Sequence, residues 1–419
     1  MKFYGKLKVL GDKSISHRSL ILGGLSKGKL IIKNFLFSDD TLRTLNGIKK
    51  LNVKIKVNKN TDEIIVEGKG KNNLSLKAEK IYCGNSGTTA RLLAGLLSGI
   101  NGRCILTGDK SLSKRPMKRV AEPLKLMGAN IKGDYLPLEI IGGKLKGINY
   151  KLPVASAQVK SAILLAGITA SGKTSVIEPI KSRDHTERMI KYLEGKIKIE
   201  KNQITVYEDT DLFSDKELIV PNDISSAAFF IIGALLKKDS ELILENITLN
   251  PTRTGLLEIL KRMNANITII NKKILNNEPM GDILVKSSKL KGTIIKGSII
   301  PKLIDEIPII AIAALFAEGK TIIKDANELR VKETDRIKAI VNELSKVTEK
   351  IKEYEDGFEI TGNNIKLQSN NFNSYEDHRI AMSLTILSAV LEKNFKIKNK
   401  DCVKISYPEF FNDLKKVLK

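Results

Sequence analysis

The sequence has no tryptophan, three cysteines, three histidines and only 13 arginines in 419 residues, and aromatic side chains make up 5% of it. Each scarcity closes off a class of function. Cys83, Cys104 and Cys402 stand at unrelated spacings, which gives neither a disulfide framework nor a zinc-ligand pattern. A reducing cytoplasm is the expected setting, and no metal or cofactor is expected. No apolar run approaches the roughly 20 residues needed to cross a bilayer, and the opening MKFYGKLKVLGDK holds no apolar targeting core. With no Trp, and no basic run interleaved with Phe or Tyr, the stacking platforms that grip single-stranded nucleic acid are not indicated.

Lysine, by contrast, is abundant: 58 residues that leave a net charge of +24. Such a charge suits nucleic acid, an anionic membrane surface or an acidic small molecule. The lysines are scattered along the whole chain, often beside Asn and Ile, which is the pattern of a solvated surface. A basic nucleic-acid-binding repeat protein is therefore the alternative reading, not the leading one. At this length and with 42% hydrophobic residues, the chain can bury two domains with proper cores.

One supersecondary pattern recurs six times. A small or polar starter precedes a dozen apolar helical residues, then a small turn residue, a β-branched strand and a second amphipathic helix. The turns fall at Gly28, Gly102, Gly172, Asp239, Gly319 and Asn394, a spacing suited to a β-α-β-α unit and not to a short solenoid repeat. The stretch GITASGKT, Gly167 to Thr174, fits the phosphate-loop spacing G-x-x-x-x-G-K-[ST]. That loop needs a strand before it and a helix after it, so that backbone N–H groups and a helix N-terminus face the phosphates. Here an Ala- and Leu-rich helical run precedes and the β-branched TSVIEPI follows, so the match is a helix C-terminus where the dipole points the wrong way.

Chemistry then belongs at the opposite ends of these helices. The segments there are GDKSISHR from Gly11, GNSGTTAR from Gly84, SKRPM from Ser113, SAQ from Ser156, SRDHTER from Ser182, IDE from Ile304, LRVKETDR from Leu329 and EDHR from Glu376. Nine of the 13 arginines lie in or beside them: Arg18, Arg91, Arg115, Arg119, Arg183, Arg188, Arg330, Arg336 and Arg379. His17, His185 and His378 lie there too, and no catalytic role is assigned to them. Taken singly, Ser14, Ser86 and Ser156 are plausible helix caps, VKETDR a solvated helix face, and Asp305 a partner of a helix dipole.

Together and in this order, GDKSISHR, GNSGTTAR, RVKETDR and DHR resemble the EPSP synthase family of the enolpyruvyl transferase superfamily, over essentially the whole chain to SYPEFF at Ser406. The resemblance implies an α/β fold of two similar domains, each of three βαβαββ-type units around a pseudo-threefold axis, helices inside and sheets outside. Residues 12–220 would form one domain with repeats 1–3, and 1–11 with 221–419 the other with repeats 4–6, the active site lying in the cleft between them. The implied activity transfers the enolpyruvyl group of phosphoenolpyruvate to the 5-hydroxyl of shikimate 3-phosphate in the route to aromatic amino acids. The partners would be these small molecules, not nucleic acid or membrane, and the chain a monomer.

Carried over residue by residue, Lys13 touches both substrates, and Ser14, Arg18, Ser156, Ala157, Gln158 and Arg183 hold shikimate 3-phosphate. Gly87, Arg115, Gln158, Arg336 and Arg379 hold phosphoenolpyruvate. Asp305 takes the hydroxyl proton, with Lys332 nearby, and Glu333 protonates the methylene. Four anionic groups in one cleft need many cationic donors, which accounts for the clustered arginine. An addition followed by an elimination needs one ionised and one protonated carboxyl group. Two positions depart from the enterobacterial pattern: Ile405 stands where those members have a lysine, leaving open whether Lys404 substitutes, and Glu328 stands where they have asparagine. The sister activity on UDP-N-acetylglucosamine is the nearest rival, but that family has an Asn after the first lysine and a Cys or Asp in a loop. Here Ser14 follows Lys13, and Gly108 to Met117 holds no Cys.

Overall fold

The computed structural model describes all 419 residues, which fall into two compact units. One is Gly11–Val220 with Leu275–Glu278; the other is Met1–Leu10, Pro221–Ile274 and Pro279–Lys419. The chain opens with strand β1 (Tyr4–Leu7) and then enters the Gly11–Val220 unit, where three repeats follow in order. The first is α1 (Lys13–Leu25), β2 (Lys27–Lys33), α2 (Asp39–Lys49), β3 (Lys54–Asn58) and β4 (Glu63–Lys69). The second is β5 (Lys80–Tyr82), α3 (Gly87–Ser98), β6 (Gly102–Thr107), α4 (Lys118–Leu126), β7 (Asn130–Lys132) and β8 (Leu138–Gly142). The third is β9 (Asn149–Lys151), α5 (Ala157–Thr169), β10 (Lys173–Ile177), α6 (His185–Tyr192), β11 (Ile197–Glu200) and β12 (Gln203–Tyr207). Strand β13 (Lys216–Ile219) ends the unit.

The second and third repeats share one sheet plan. The strand before the first helix pairs parallel with the strand after it, as β5 with β6 and β9 with β10, and a hairpin then returns antiparallel. In the first repeat the parallel partner of β2 is β13, from the far end of the unit. The corresponding strand β1 pairs parallel with β14 in the other unit's own sheet. Each unit's first sheet is thus completed by a strand from outside its sequence repeat, an exchange that no local pattern in the sequence announces.

The other unit repeats the plan with α7 (Ile224–Leu236), β14 (Glu241–Thr248), α8 (Gly255–Arg262), β15 (Asn266–Leu275) and β16 (Glu278–Lys286). Next come β17 (Ile294–Ile295), the short α9 (Ile300–Leu303), α10 (Ile307–Phe316), β18 (Lys320–Ile323), α11 (Arg336–Leu344), β19 (Ile351–Tyr354) and β20 (Gly357–Thr361). Last are β21 (Asn371–Asn373), α12 (His378–Leu391), β22 (Lys396–Lys398) and α13 (Phe410–Val417). The sixth sheet has only β21 and β22, so the sixth repeat departs from the expected βαβαββ plan by lacking its hairpin.

Helix chemistry explains the layering. α7 (ISSAAFFIIGALL) and α10 (IPIIAIAALF) are apolar around almost their whole circumference, so they can only be stable when buried on all sides. They pack on each other and on α12 at the centre of their unit. The second helices of the repeats, such as α8 and α13, carry one apolar stripe and cover the flank. The strands bury one face, as in β20 with Phe358 and Ile360, and leave lysine and glutamate outside. The Gly11–Val220 unit has its own core, built on Leu20, Leu22, Leu93, Leu96, Ile163 and Leu165. GITASGKT is the end of α5, a turn and the start of β10, and the Gly172 N–H donates to Glu208 Oε2 at 2.8 Å. A carboxylate where a phosphate would sit confirms that this is a helix-closing turn and no nucleotide loop.

Candidate functional site

In the Gly11–Val220 unit the residues expected at the site open α1, α3 and α5. Lys13, the first residue of α1, is partly exposed and its Nζ stands 2.7 Å from Asp40 Oδ2. The cap of α1 is Asp12, whose carboxylate accepts the Ile15 N–H at 2.9 Å, so the capping role available to Ser14 falls to its neighbour. Ser14 instead accepts from Arg183 Nη1 at 3.4 Å and lends its carbonyl to Arg18 Nη1 at 3.0 Å. Arg18 is buried. Its Nε donates to Thr186 Oγ1 at 2.7 Å and its Nη2 to Ser161 Oγ at 2.9 Å, which ties α1 to α5 and α6.

Ser86 and Ser156 are caps as well as candidates: each accepts the N–H three residues on, at 3.2 and 3.4 Å. A capping serine still has its own O–H to donate, so the two readings do not compete. Ala157 opens α5, and Gln158 beside it bridges two elements, donating to Thr88 Oγ1 at 2.9 Å and accepting from Arg91 Nη1 at 2.7 Å. Arg115 is buried and reaches Asn85 Oδ1 at 2.6 Å. A Cβ placed on Gly87 would stand 2.8 Å from Arg91 Nη1 and 3.7 Å from Arg115 Nη1, so the bare backbone at the start of α3 lies beside two guanidinium groups. Such an arrangement of helix N-terminus and paired arginines suits a negatively charged group.

The second group lies in the other unit around Arg336. VKETDR is no helix face: a 3₁₀ turn covers Asn327–Val331, and α11 begins only at Arg336, capped by Asp335. Arg336 is 1% exposed. Its Nε donates to Asp377 Oδ2 at 2.8 Å, Nη2 to Glu333 Oε2 at 2.8 Å, and Nη1 to Asp305 Oδ1 at 3.5 Å. Burial alone would push its proton affinity down, but Asp377, Glu333 and Asp305 outweigh that and hold it firmly charged. Lys332 Nζ lies 3.7 Å from the same Asp305 oxygen. Arg379 donates to the Asp305 carbonyl at 2.9 Å and lies 3.9 Å from both Asp305 Oδ2 and Glu306 Oε1. Asp305, at the turn before α10, is thus ringed by two arginines and a lysine. The cap of α12 is Asp377, which accepts the N–H groups of Arg379 and Ile380 while also holding Arg336.

Lys404 stands apart. Its side chain is 67% exposed and its charged neighbour is Asp401 at 3.4 Å. The residues missed from sequence are those that hold the candidates in place: Asp40 on Lys13, Thr186 and Ser161 on Arg18, Asn85 on Arg115 and Asp377 on Arg336. Asp377, Thr186 and Asn85 at least lay inside segments already singled out; Asp40, in the first turn of α2, carried no signal.

The chain is similar to known proteins over almost its whole length. The chain matches the family described as EPSP synthase (3-phosphoshikimate 1-carboxyvinyltransferase) over residues 1–414. It is 53% identical over 413 residues to the 3-phosphoshikimate 1-carboxyvinyltransferase of Petrotoga mobilis, covering 97% of this chain and 95% of that one. With the enzyme of the same name from Thermodesulfovibrio yellowstonii it shares 51% over 420 residues, 99% of this chain and 97% of the relative. Among solved structures, EPSP synthase from Acinetobacter baumannii superposes with a TM-score of 0.87 at 43% identity, covering 99% of this chain and 96% of that one. The enolpyruvyl transferase NikO from Streptomyces tendae superposes at 0.78 with 14% identity, covering 99% and 95%, a likeness of fold alone.

Proposed function

The chain belongs to the EPSP synthase family, and from that premise we propose how its own residues move the enolpyruvyl group of phosphoenolpyruvate onto the 5-hydroxyl of shikimate 3-phosphate. Ser14, Arg18, Ser156, Gln158 and Arg183 hold shikimate 3-phosphate, with Ala157 packing at the same helix start. Gly87, Arg115, Arg336 and Arg379 hold phosphoenolpyruvate, and Lys13 reaches both. The two sets act on one substrate pair. Lys404 takes no part, since its exposure and pairing with Asp401 favour a surface role.

The observation that carries the assignment is the one guanidinium shared by Asp305 and Glu333. Asp305 accepts the proton of the 5-hydroxyl, aided by Lys332, as that oxygen bonds to C2 of phosphoenolpyruvate and Glu333 delivers a proton to C3. In the collapse, Glu333 recovers a proton from the new methyl group while the C–O bond to phosphate breaks. Asp305 returns its proton to the departing phosphate, so atoms and charge balance over the cycle. Glu333 must be protonated to act as this acid, and Arg336 Nη2, which meets it at 2.8 Å, is among the groups assigned to phosphoenolpyruvate.

The test is release of inorganic phosphate from phosphoenolpyruvate. It is expected with shikimate 3-phosphate and absent with UDP-N-acetylglucosamine. Asp305→Asn and Glu333→Gln should each lower kcat by at least about 100-fold while keeping the heat-stability shift given by shikimate 3-phosphate. Near-normal turnover in either variant would remove that residue from the cycle.

A further inference from the structure

Lys160 lies one turn into α5 and is fully buried. Its Nζ sits 2.9 Å from Glu178 Oε2 and 2.6 Å from Glu187 Oε1, and those carboxylates are themselves 1% and 2% exposed. Burying three ionisable side chains is expensive, and well-packed apolar residues would serve stability as well or better. The arrangement therefore calls for a reason other than stability. Each carboxylate leads to a residue assigned to shikimate 3-phosphate.

Glu178 follows β10, and its second oxygen accepts both the N–H of Ser182, at 3.1 Å, and the Ser182 hydroxyl. Ser182 is the residue before Arg183, whose guanidinium meets Ser14. Glu187 lies in the first turn of α6 beside Thr186. The Thr186 hydroxyl receives Arg18 Nε and pairs with Ser161, which receives Arg18 Nη2. One ammonium group thus fixes, through two carboxylates, the loop that carries Arg183 and the helix that orients Arg18. Lys160 touches neither arginine and reaches no surface.

We propose that Lys160, acting through Glu178 and Glu187, is a positioning residue that sets the two guanidinium groups for the phosphate of shikimate 3-phosphate. It rests on the reading of Arg18 and Arg183 as ligands of that phosphate. A buried ionic anchor suits the task because it has one geometry, whereas an apolar contact tolerates sliding.

Steady-state kinetics on the full-length enzyme separate this from a merely structural node. Ser182→Ala leaves the ion triplet intact and cuts only the hydroxyl link to the Arg183 loop. It should raise KM for shikimate 3-phosphate about tenfold while KM for phosphoenolpyruvate and kcat stay within about twofold, and Ser182→Thr should restore the value. Lys160→Met should show the same asymmetry with a lowered Tm. In an Arg183→Ala background, Ser182→Ala should add less than about twofold, since the two act on one contact. A fall in Tm with unchanged KM for shikimate 3-phosphate, in both Ser182→Ala and Lys160→Met, would overturn the proposal. If Arg183→Ala itself leaves that KM unchanged, the assignment of Arg183 fails first and the proposal falls with it. If Arg183→Ala raises it and Ser182→Ala does not, only the proposal fails.

Discussion

His17 stands between two residues assigned to the substrates, Lys13 and Arg18, and is assigned no proton transfer. It is fully buried, and burial, together with the positive charge of Lys13 and Arg18, holds its ring well below the usual imidazole range against a weaker opposite pull from Asp12. The neutral ring bonds Thr44 Oγ1 at 2.7 Å, Thr44 meets Thr89 at 2.7 Å, and Thr89 donates to the capping Ser86 at 2.8 Å. His17 therefore anchors a hydroxyl chain joining α1, α2 and α3. Its lowered folded-state pKa has a signed consequence. Below about pH 6.5 the unfolded chain takes up a proton on this ring and the native state does not, so the unfolded state binds more protons and stability falls as pH drops. Urea unfolding should show a loss on the order of 1 kcal/mol from this group between pH 7 and pH 5.5. His17→Gln, which keeps a partner for Thr44 but does not titrate, should lose correspondingly less over the same interval. Equal losses in the two proteins would show that His17 is not the group responsible.

At the scale of elements, the positions of the candidate residues depend on how closely α3 and α5 approach. A Cβ at Gly95 would stand 2.2 Å from the Ala162 carbonyl oxygen and 2.7 Å from its Cα, and neither is a flexible side-chain tip that could swing away. Gly95→Ala should therefore push the two helices apart, costing about 1–3 kcal/mol of stability. Because α3 begins at Gly87 and α5 carries Ser156 and Gln158, the variant should also raise KM for both substrates, unlike the one-sided effect expected of Ser182→Ala. A variant that melts early but binds both substrates normally would show that the helix starts are held independently of this crossing. The same helices show what was legible in the sequence. Their apolar runs closed by a small turn residue, as with GALLKKD before β14, announce helix then strand at each of the six places, because full burial leaves a continuous signature. The resemblance alone placed residues 1–11 with 221–419; the pairing of β1 with β14 and of β13 with β2 was not legible in the residues, since it depends on partners far away in the chain. Nor were the Lys13–Asp40 pair or the Lys160 triplet: a lysine that ends up buried has the same letter as the many that do not. Cap choice failed for a smaller reason. Asp12 and Ser14 can both cap, and only the backbone geometry at Asp12 decides between them.

At the scale of the whole molecule, the proposed tasks would fall to different units. The residues assigned to shikimate 3-phosphate, apart from Asp305 and Lys332, lie in Gly11–Val220, while both carboxylates proposed for proton transfer belong to the other unit. Each unit also has a separate hydrophobic core. Gly11–Val220 is a continuous stretch whose first sheet is completed by its own β13, and its size is ample for independent folding. Cutting it out removes only Leu275–Glu278 from the unit, but that segment supplies Glu278 Oε1 at 2.7 Å from the buried His185 Nδ1, and Asn276, which bonds the Ile219 carbonyl at 2.7 Å. A fragment of residues 11–220 should therefore fold cooperatively but melt below the intact protein, having lost one partner of a buried histidine. It should have no turnover, for want of Asp305 and Glu333. It should nonetheless gain heat stability with shikimate 3-phosphate at millimolar concentration, by the linkage of ligand to the folded state, and lose that gain with Arg183→Ala. A folded fragment indifferent to shikimate 3-phosphate would mean that Ser14, Arg18, Ser156 and Arg183 cannot hold the phosphate unaided, and that binding, like catalysis, depends on both halves of the chain.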